Sequence, residues 1–355
     1  MKKSALALAV ATALVGFGSA AYADTTLYGS ARVSLDYVDE NTNRDVGDFV
    51  SGLFDGDGYL DIVNNASRLG VRGEEDLGGG LSAIYQYEFG VDVTEGGNLN
   101  SNRPKWVGLK GGFGSLTVGT QWTPYYNVIG IGDIFNSSRV FGNYIYLGNT
   151  FATRMDNSLV YTTPNLSGFS AQAMLVMNGS CNPAKDAAFC RSAADNKLPS
   201  NLSDTVDMWN IGLSYKNGPF FAGATYLALE GPDLGPLAPT PDGDQWGVAL
   251  GYNSGPFAVT LAYEDGDVNT LFPDNSKNYY LTGQYTFGPN IIRAAYGHVD
   301  PDSKAVGVDE IDNYAVGYQY NFSKRTRLWV EYVGRTSDSV YGDGNAVSIG
   351  TRHDF

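Results

Sequence analysis

Cysteine is almost absent from this chain of 355 residues, which has only Cys181 and Cys190. That excludes a disulfide-dense secreted scaffold. Histidine is as scarce, with His298 and His353 alone, and neither has metal-ligand spacing. No phosphate-binding glycine loop survives inspection, because "GGFG" and "LGGG" are hairpin turns between apolar runs. Positive charge is in deficit, with 23 Lys and Arg against 38 Asp and Glu. A chain this acidic is no partner for nucleic acid. Beyond its first residues the chain lacks any run near the ~20 apolar residues of a membrane helix. These gaps leave no cofactor, no metal centre and no enzyme to argue for. A Ser–His hydrolase on the outer face of a barrel would have to use His353, and a histidine among interfacial aromatics accounts for that residue better.

The first segment is a targeting signal. Lys2 and Lys3 precede an apolar run over residues 5–18, and Ala21-Tyr22-Ala23 offers a small-x-small cleavage site. Residues 1–23 are therefore expected to be removed, leaving 24–355 as the folded domain. The alternative is an uncleaved anchor, for which the run is short. Export implies an oxidising compartment. Cys181 and Cys190 lie close together in a polar, strand-poor stretch and are expected to pair and tie a loop. The alternative is two free thiols.

What the chain has in abundance is Gly (45) and Tyr (24), set in strict alternation. In "NYAVGYQYNF", Tyr314, Val316, Tyr318, Tyr320 and Phe322 share one face, opposite Ala315, Gly317, Gln319 and Asn321. "LSAIYQYEF" and "TRLWVEYVGR" repeat the pattern. Period two means strands. Sixteen such runs can be counted, beginning 25–37, 67–76, 81–93, 103–110 and 115–122 and ending 311–322, 327–335 and 345–355. Very short connections ("KNGP", "NSGP", "GPN") alternate with long acidic ones, such as residues 41–65, 178–206 and 230–243. One face is large and aromatic, the other Gly, Ser, Asn, Gln and Arg. A soluble propeller or sandwich would bury its large residues and would not need a small polar face. The pattern predicts an all-β, sixteen-stranded antiparallel transmembrane barrel with short periplasmic turns and long extracellular loops. Residues 55–61 look like the start of a calcium loop but lack its closing glutamate, so they read as a solvated loop.

Parity also assigns candidate lumen residues. In "SRLGVRGE", Arg68 and Arg72 oppose Leu69 and Val71 and should point inward. In "RPKWVGLK", Arg103 and Lys105 share parity with Val107 and Leu109, so their direction is ambiguous.

Several segments resemble the general diffusion porins of Gram-negative outer membranes. They are "TLYGSARVSLDY", "SRLGVRGEEDLGGGLSAIYQYEFGVD", "RPKWVGLKGGFGSLTVGTQW", "NSLVYTTPNLSGFS", "YQYNFSKRTRLWVEYV" and the terminal "SIGTRHDF". The resemblance runs from the first strand to the last. It implies a homotrimer in the outer membrane, in contact with lipid and lipopolysaccharide, that passes ions and small hydrophilic solutes. It implies that the third long loop, about residues 123–153, folds inward and narrows the channel. It carries an arginine cluster onto Arg68, Arg103 and Arg154, facing acids on that loop. Asp133 is the sole acid there, between Trp122 and Asp156, which departs from the family pattern. Lys105 and Arg72 complete the candidate constriction. The resemblance also makes the terminal Phe355 an assembly signal for the barrel insertion machinery. Two other readings stay open: a substrate-selective channel of the same architecture, and a sealed structural barrel.

Overall fold

The computed structural model describes residues 24–41, 58–96, 99, 103–137, 153–177, 206–230, 243–267, 275–302, 309–337 and 343–355. Residues 1–23, expected to be a leader, and Cys181 and Cys190, expected to pair, lie outside the described residues. The strands are β1 (Asp24–Asn41), β2 (Tyr59–Asn64), β3 (Arg68–Gly78), β4 (Leu81–Gly90), β5 (Lys105–Gly111), β6 (Gly114–Trp122), β7 (Arg154–Thr162), β8 (Phe169–Val176), β9 (Met208–Asn217), β10 (Phe220–Leu229), β11 (Gly243–Ser254), β12 (Phe257–Gly266), β13 (Ser276–Phe287), β14 (Asn290–Pro301), β15 (Ile311–Asn321), β16 (Thr326–Ser337) and β17 (Asp343–Asp354). All pair antiparallel: β2 and β3 both pair with β1, each strand from β4 onward pairs with the one before it, and β17 returns to β1. Closure leaves no sheet edge, which is what a hydrocarbon environment demands of a β-structure.

These seventeen segments make sixteen crossings. Both β2 and β3 pair with the same side of β1, Val33 opposite Asn64 and Ser30 opposite Arg68. Three residues (65–67) on one strand thus face two (31 and 32) on the other. That is a β-bulge, and Ala66 takes a positive φ of 63° within it. The expected long loop over residues 41–65 is corrected here, because the strand already begins at Tyr59. The bulge shifts parity by one: Leu60 and Ile62 point out above it, Leu69 and Val71 below. An eye following one alternation loses the strand at that point. Asp61, at the end of the calcium-like segment, is a strand residue opposite Asp36.

Side chains follow the alternation. Leu35, Leu213, Leu250, Leu281, Val316 and Ile349 are exposed on the outer face. Ser34, Asn210, Gln245, Asn278 and Gln319 are buried on the inner one. Phe169–Tyr215, Phe220–Tyr252 and Phe257–Tyr285 form ring pairs toward the short-turn end, with centroids 4.3, 5.3 and 5.0 Å apart. Trp209–Tyr226 and Trp246–Tyr263 do so toward the other, at 5.1 and 5.2 Å. Two aromatic belts bounding an aliphatic band are the signature of a membrane-spanning barrel.

The short turns share one chemistry. Gly218, Gly255 and Gly288 have φ of 55°, 56° and 55°, and each precedes a proline. The proline carbonyl then accepts from the next strand, as Pro219 does from the Asn253 amide at 2.8 Å. Glycine supplies the left-handed conformation without steric cost.

Candidate pore constriction

After β6 the chain turns into the barrel. Thr123 caps a short helix, α1 (Pro124–Ile129), by accepting from the Tyr126 amide at 3.0 Å, with Pro124 in the first turn. A single 3-10 turn over Gly130–Gly132 follows. The sequence reading anticipates the inward loop but not the helix, although Thr-Pro is a recognisable start signal.

One face of α1 is apolar. Tyr125, Val128 and Ile129 are buried against Met174, Met208 and Leu227 on the inner wall. Burial of each is worth roughly 1.5–3 kcal/mol. The helix approaches closely because the wall is glycine there. A Cβ on Gly223 would lie 2.8 Å from Val128 Cγ1, and one on Gly247 2.8 Å from Ile129 Cδ1. Polar contacts fix the register. The Tyr125 amide donates to Asn210 Oδ1 (2.7 Å), and its hydroxyl donates to Glu264 Oε1 (2.9 Å) while accepting from Gln245 Nε2 (2.7 Å).

The loop then reaches the opposite wall. Glu331 on β16 accepts from the amides of Asn136 (2.9 Å) and Ser137 (2.6 Å) and from Asn136 Nδ2 (3.0 Å). Arg293 Nη1 lies 3.7 Å from the same carboxylate. Arg32 Nη2 donates to Phe135 O at 3.2 Å and to Asn136 O. The segment from Thr123 to Ser137 therefore crosses the lumen, held at both ends.

The wall beside it is lined with arginine. Arg327 lies directly opposite Arg352, and Arg352 directly opposite Arg32. Arg68 follows on β3, opposite Ser30. Like charges in adjacent register repel, and only part of this row is compensated. Asp354 takes Arg352 Nε at 2.7 Å and also pairs with Arg327. Glu88 takes Arg103 Nε at 2.7 Å, stands 3.8 Å from Arg68 Nη1 and accepts from Tyr28 Oη at 3.0 Å. Arg154 lies over the Trp122 ring, 4.4 Å from its centroid. Trp122 in turn stacks on Tyr126 at 4.1 Å. The Tyr126 hydroxyl donates to Asp133 Oδ2 at 3.3 Å, and burial, reinforced by the neighbouring carboxylate, pushes that phenol up, so it stays protonated.

The structure thus brings Arg68 and Arg103 together on Glu88, with Arg154 within electrostatic reach of both. Asp133 faces Arg32 and Arg68 across the gap. Arg72 shares the lumen face but stacks over Tyr28 at 5.1 Å, further toward the short turns. Lys105 is a correction. It lies directly opposite Tyr87 and Thr120, on the outer face, where its Nζ donates to Arg103 O at 2.9 Å and sits 5.3 Å from the Phe89 ring centroid. Arg103 precedes β5, so its side chain is free of the alternation that turns Lys105 outward. Arg32, Arg293, Arg327, Arg352 and Glu331 are absent from the sequence-based set. For Arg32 the signal was present, since Leu27, Ala31, Val33 and Leu35 on one face leave it on the other.

The sequence profile of the Gram-negative porin family matches residues 7–339. The full chain is 31% identical, over 402 aligned residues, to an outer membrane porin protein of Bordetella pertussis, with 100% of both chains covered. This chain belongs to the Gram-negative porin family. The porin is also 28% identical to the major outer membrane protein P.IB of Neisseria gonorrhoeae, again over 100% of both chains. In fold it is similar to an anion-selective porin from Comamonas acidovorans (TM-score 0.66, 21% identity, 94% of this chain and 100% of the other). It is likewise similar to Salmonella typhi OmpF (TM-score 0.69, 18% identity, 93% and 97%). Its barrel is an integral outer-membrane channel for passive diffusion, and porins are channels, not enzymes.

Proposed function

We propose that this porin favours small anions, selected where the arginine-lined wall faces the inward loop. The observation that carries the reading is the run of Arg327, Arg352 and Arg32 in direct register across the barrel seam. Arg68, Arg103 and Arg154 extend it around the wall. Arginine keeps its charge at any ordinary pH, so the row is a fixed positive potential. The long acidic connections, expected from the sequence to lie at the mouth, would pull the other way. Their reach is about one Debye length, ~8 Å at physiological ionic strength, so the narrow section decides. The reading includes a homotrimer, lipid and lipopolysaccharide at its rim, and Phe355 as the residue read by the insertion machinery.

Reversal potentials in planar bilayers under a KCl gradient test it. Chloride should permeate better than potassium, and Arg68→Ala with Arg103→Ala should move the potential toward zero. An unchanged potential removes both residues from the constriction, and a sealed barrel carries no current at all.

A pH effect follows from Asp133. The residue is exposed on the lumen side, yet its carboxyl is hemmed in by protein. That crowding pushes its pKa up to about 6, although Arg32 pulls it down. As pH falls through that value the carboxyl takes up a proton and the lumen loses a negative charge. Chloride preference should therefore rise between neutral and mildly acidic pH. Asp133→Asn should show the higher preference at both, with no step; a step that persists in Asp133→Asn would assign it to another group.

A further inference from the structure

We propose that the constriction holds a binding site for small aromatic carboxylates, formed by the Arg154–Trp122–Tyr126 column together with Arg103. The proposal rests on these side chains lining the pore, and it adds a solute class to that reading.

The column consists of three flat groups. The Arg154 guanidinium carbon is 4.4 Å from the Trp122 ring centroid. The Trp122 and Tyr126 rings are 4.1 Å apart and inclined by 20°. One hairpin builds it: Trp122 closes β6, Arg154 opens β7, and the two are directly paired. Tyr126 is fixed by the Thr123 cap one residue further on. None of the three is fully buried, so the column keeps surface on the lumen.

Beside it, guanidinium donors are left over. Arg103 is 8% exposed and spends its Nε on Glu88; its Nη2 has no partner among the described residues but is itself buried, so this residue adds positive charge behind the column. Arg154 has no hydrogen-bond or ion-pair partner among the described residues, and with only its Nε buried it leaves Nη1 and Nη2 open. Such a planar fork matches the geometry of a carboxylate. A hydrated halide needs the charge alone and gains nothing from a stack of rings. A solute that pairs a carboxylate with a flat conjugated ring uses both features. An added aromatic contact is worth about two- to tenfold in affinity.

The test uses the purified full-length porin in planar bilayers with three sodium salts: benzoate, cyclohexanecarboxylate and acetate. The half-blocking concentration of the chloride-carried current is read for each. Benzoate should block at a concentration about fivefold below cyclohexanecarboxylate, with acetate the weakest. Trp122→Leu should abolish the benzoate advantage, and Arg154→Gln should weaken both ring carboxylates. Equal block by benzoate and cyclohexanecarboxylate in the unmodified channel overturns the aromatic site, whether or not the variants assemble. The reversal potential of the same bilayers reports the charge preference separately, so the failure of one reading is not mistaken for the failure of the other.

Discussion

Glu331→Ala is expected to free the tip of the inward loop and widen the channel. Glu331 is 1% exposed and is the acceptor for the amides of Asn136 and Ser137 and for Asn136 Nδ2. Truncation takes this acceptor from the two buried amides, at about 1–3 kcal/mol each, while Asn136 Nδ2 keeps Gln319 Oε1 at 2.8 Å. It also leaves Arg293 without its nearby carboxylate, and a broken buried pair is strongly destabilising. No strand-to-strand hydrogen bond is lost, so the barrel should still form. The helical end of the loop stays seated through Tyr125, and only the segment around Ile131–Ser137 should detach. The measurements are single-channel conductance, which should rise, and limited proteolysis within that segment, which should accelerate. Glu331→Gln keeps an acceptor oxygen and should fall between the two. If neither conductance nor cleavage changes in Glu331→Ala, the wall does not hold the loop through this residue.

Deleting Phe355 should lower the amount of inserted barrel by an order of magnitude or so, without altering the conductance of channels that do form. Phe355 N donates to Gly29 O and Gly29 N donates to Phe355 O, each at 3.0 Å, and these close the last rung of the seam. An unsatisfied backbone group at a strand edge costs several kcal/mol in hydrocarbon. The ring is seated over Gly29, where a Cβ would lie 2.5 Å from Phe355 Cζ. Gly29→Val should therefore reproduce part of the defect from the other side of the seam. Outer-membrane content and the heat-modifiable folded fraction on gels read the outcome. Normal insertion of the deleted chain would leave Phe355 with no part in assembly.

The barrel was legible because its physics is local. A strand with lipid on one side and water on the other must alternate, as Tyr314 to Phe322 do, and x-Gly-Pro turns mark where it reverses. The bulge at Ala66 was not legible. One extra residue changes parity, and nothing in "NNAS" announces it. Lys105 shows a related limit: shared parity links residues only within one strand, and β5 begins after Arg103. The inward helix is announced only by the cap at Thr123-Pro124, because six residues are too few for helical periodicity to show.

By itself the sequence determined the secondary structure, the outward and inward faces, the membrane class and the presence of arginines on the lumen side. Those follow from nearest-neighbour rules of period two and from the need to hide every backbone polar group from lipid. Only the tertiary structure decided which charges meet. Closure brings Arg32 of the first strand against Arg352 of the last, and Arg327 beyond it, through cross-strand register that no local pattern encodes. Likewise the seat of α1 exists only where Gly223 and Gly247 come diagonally across two adjacent strands. Faces are a property of each strand, whereas the constriction is a property of the ring that the strands make together.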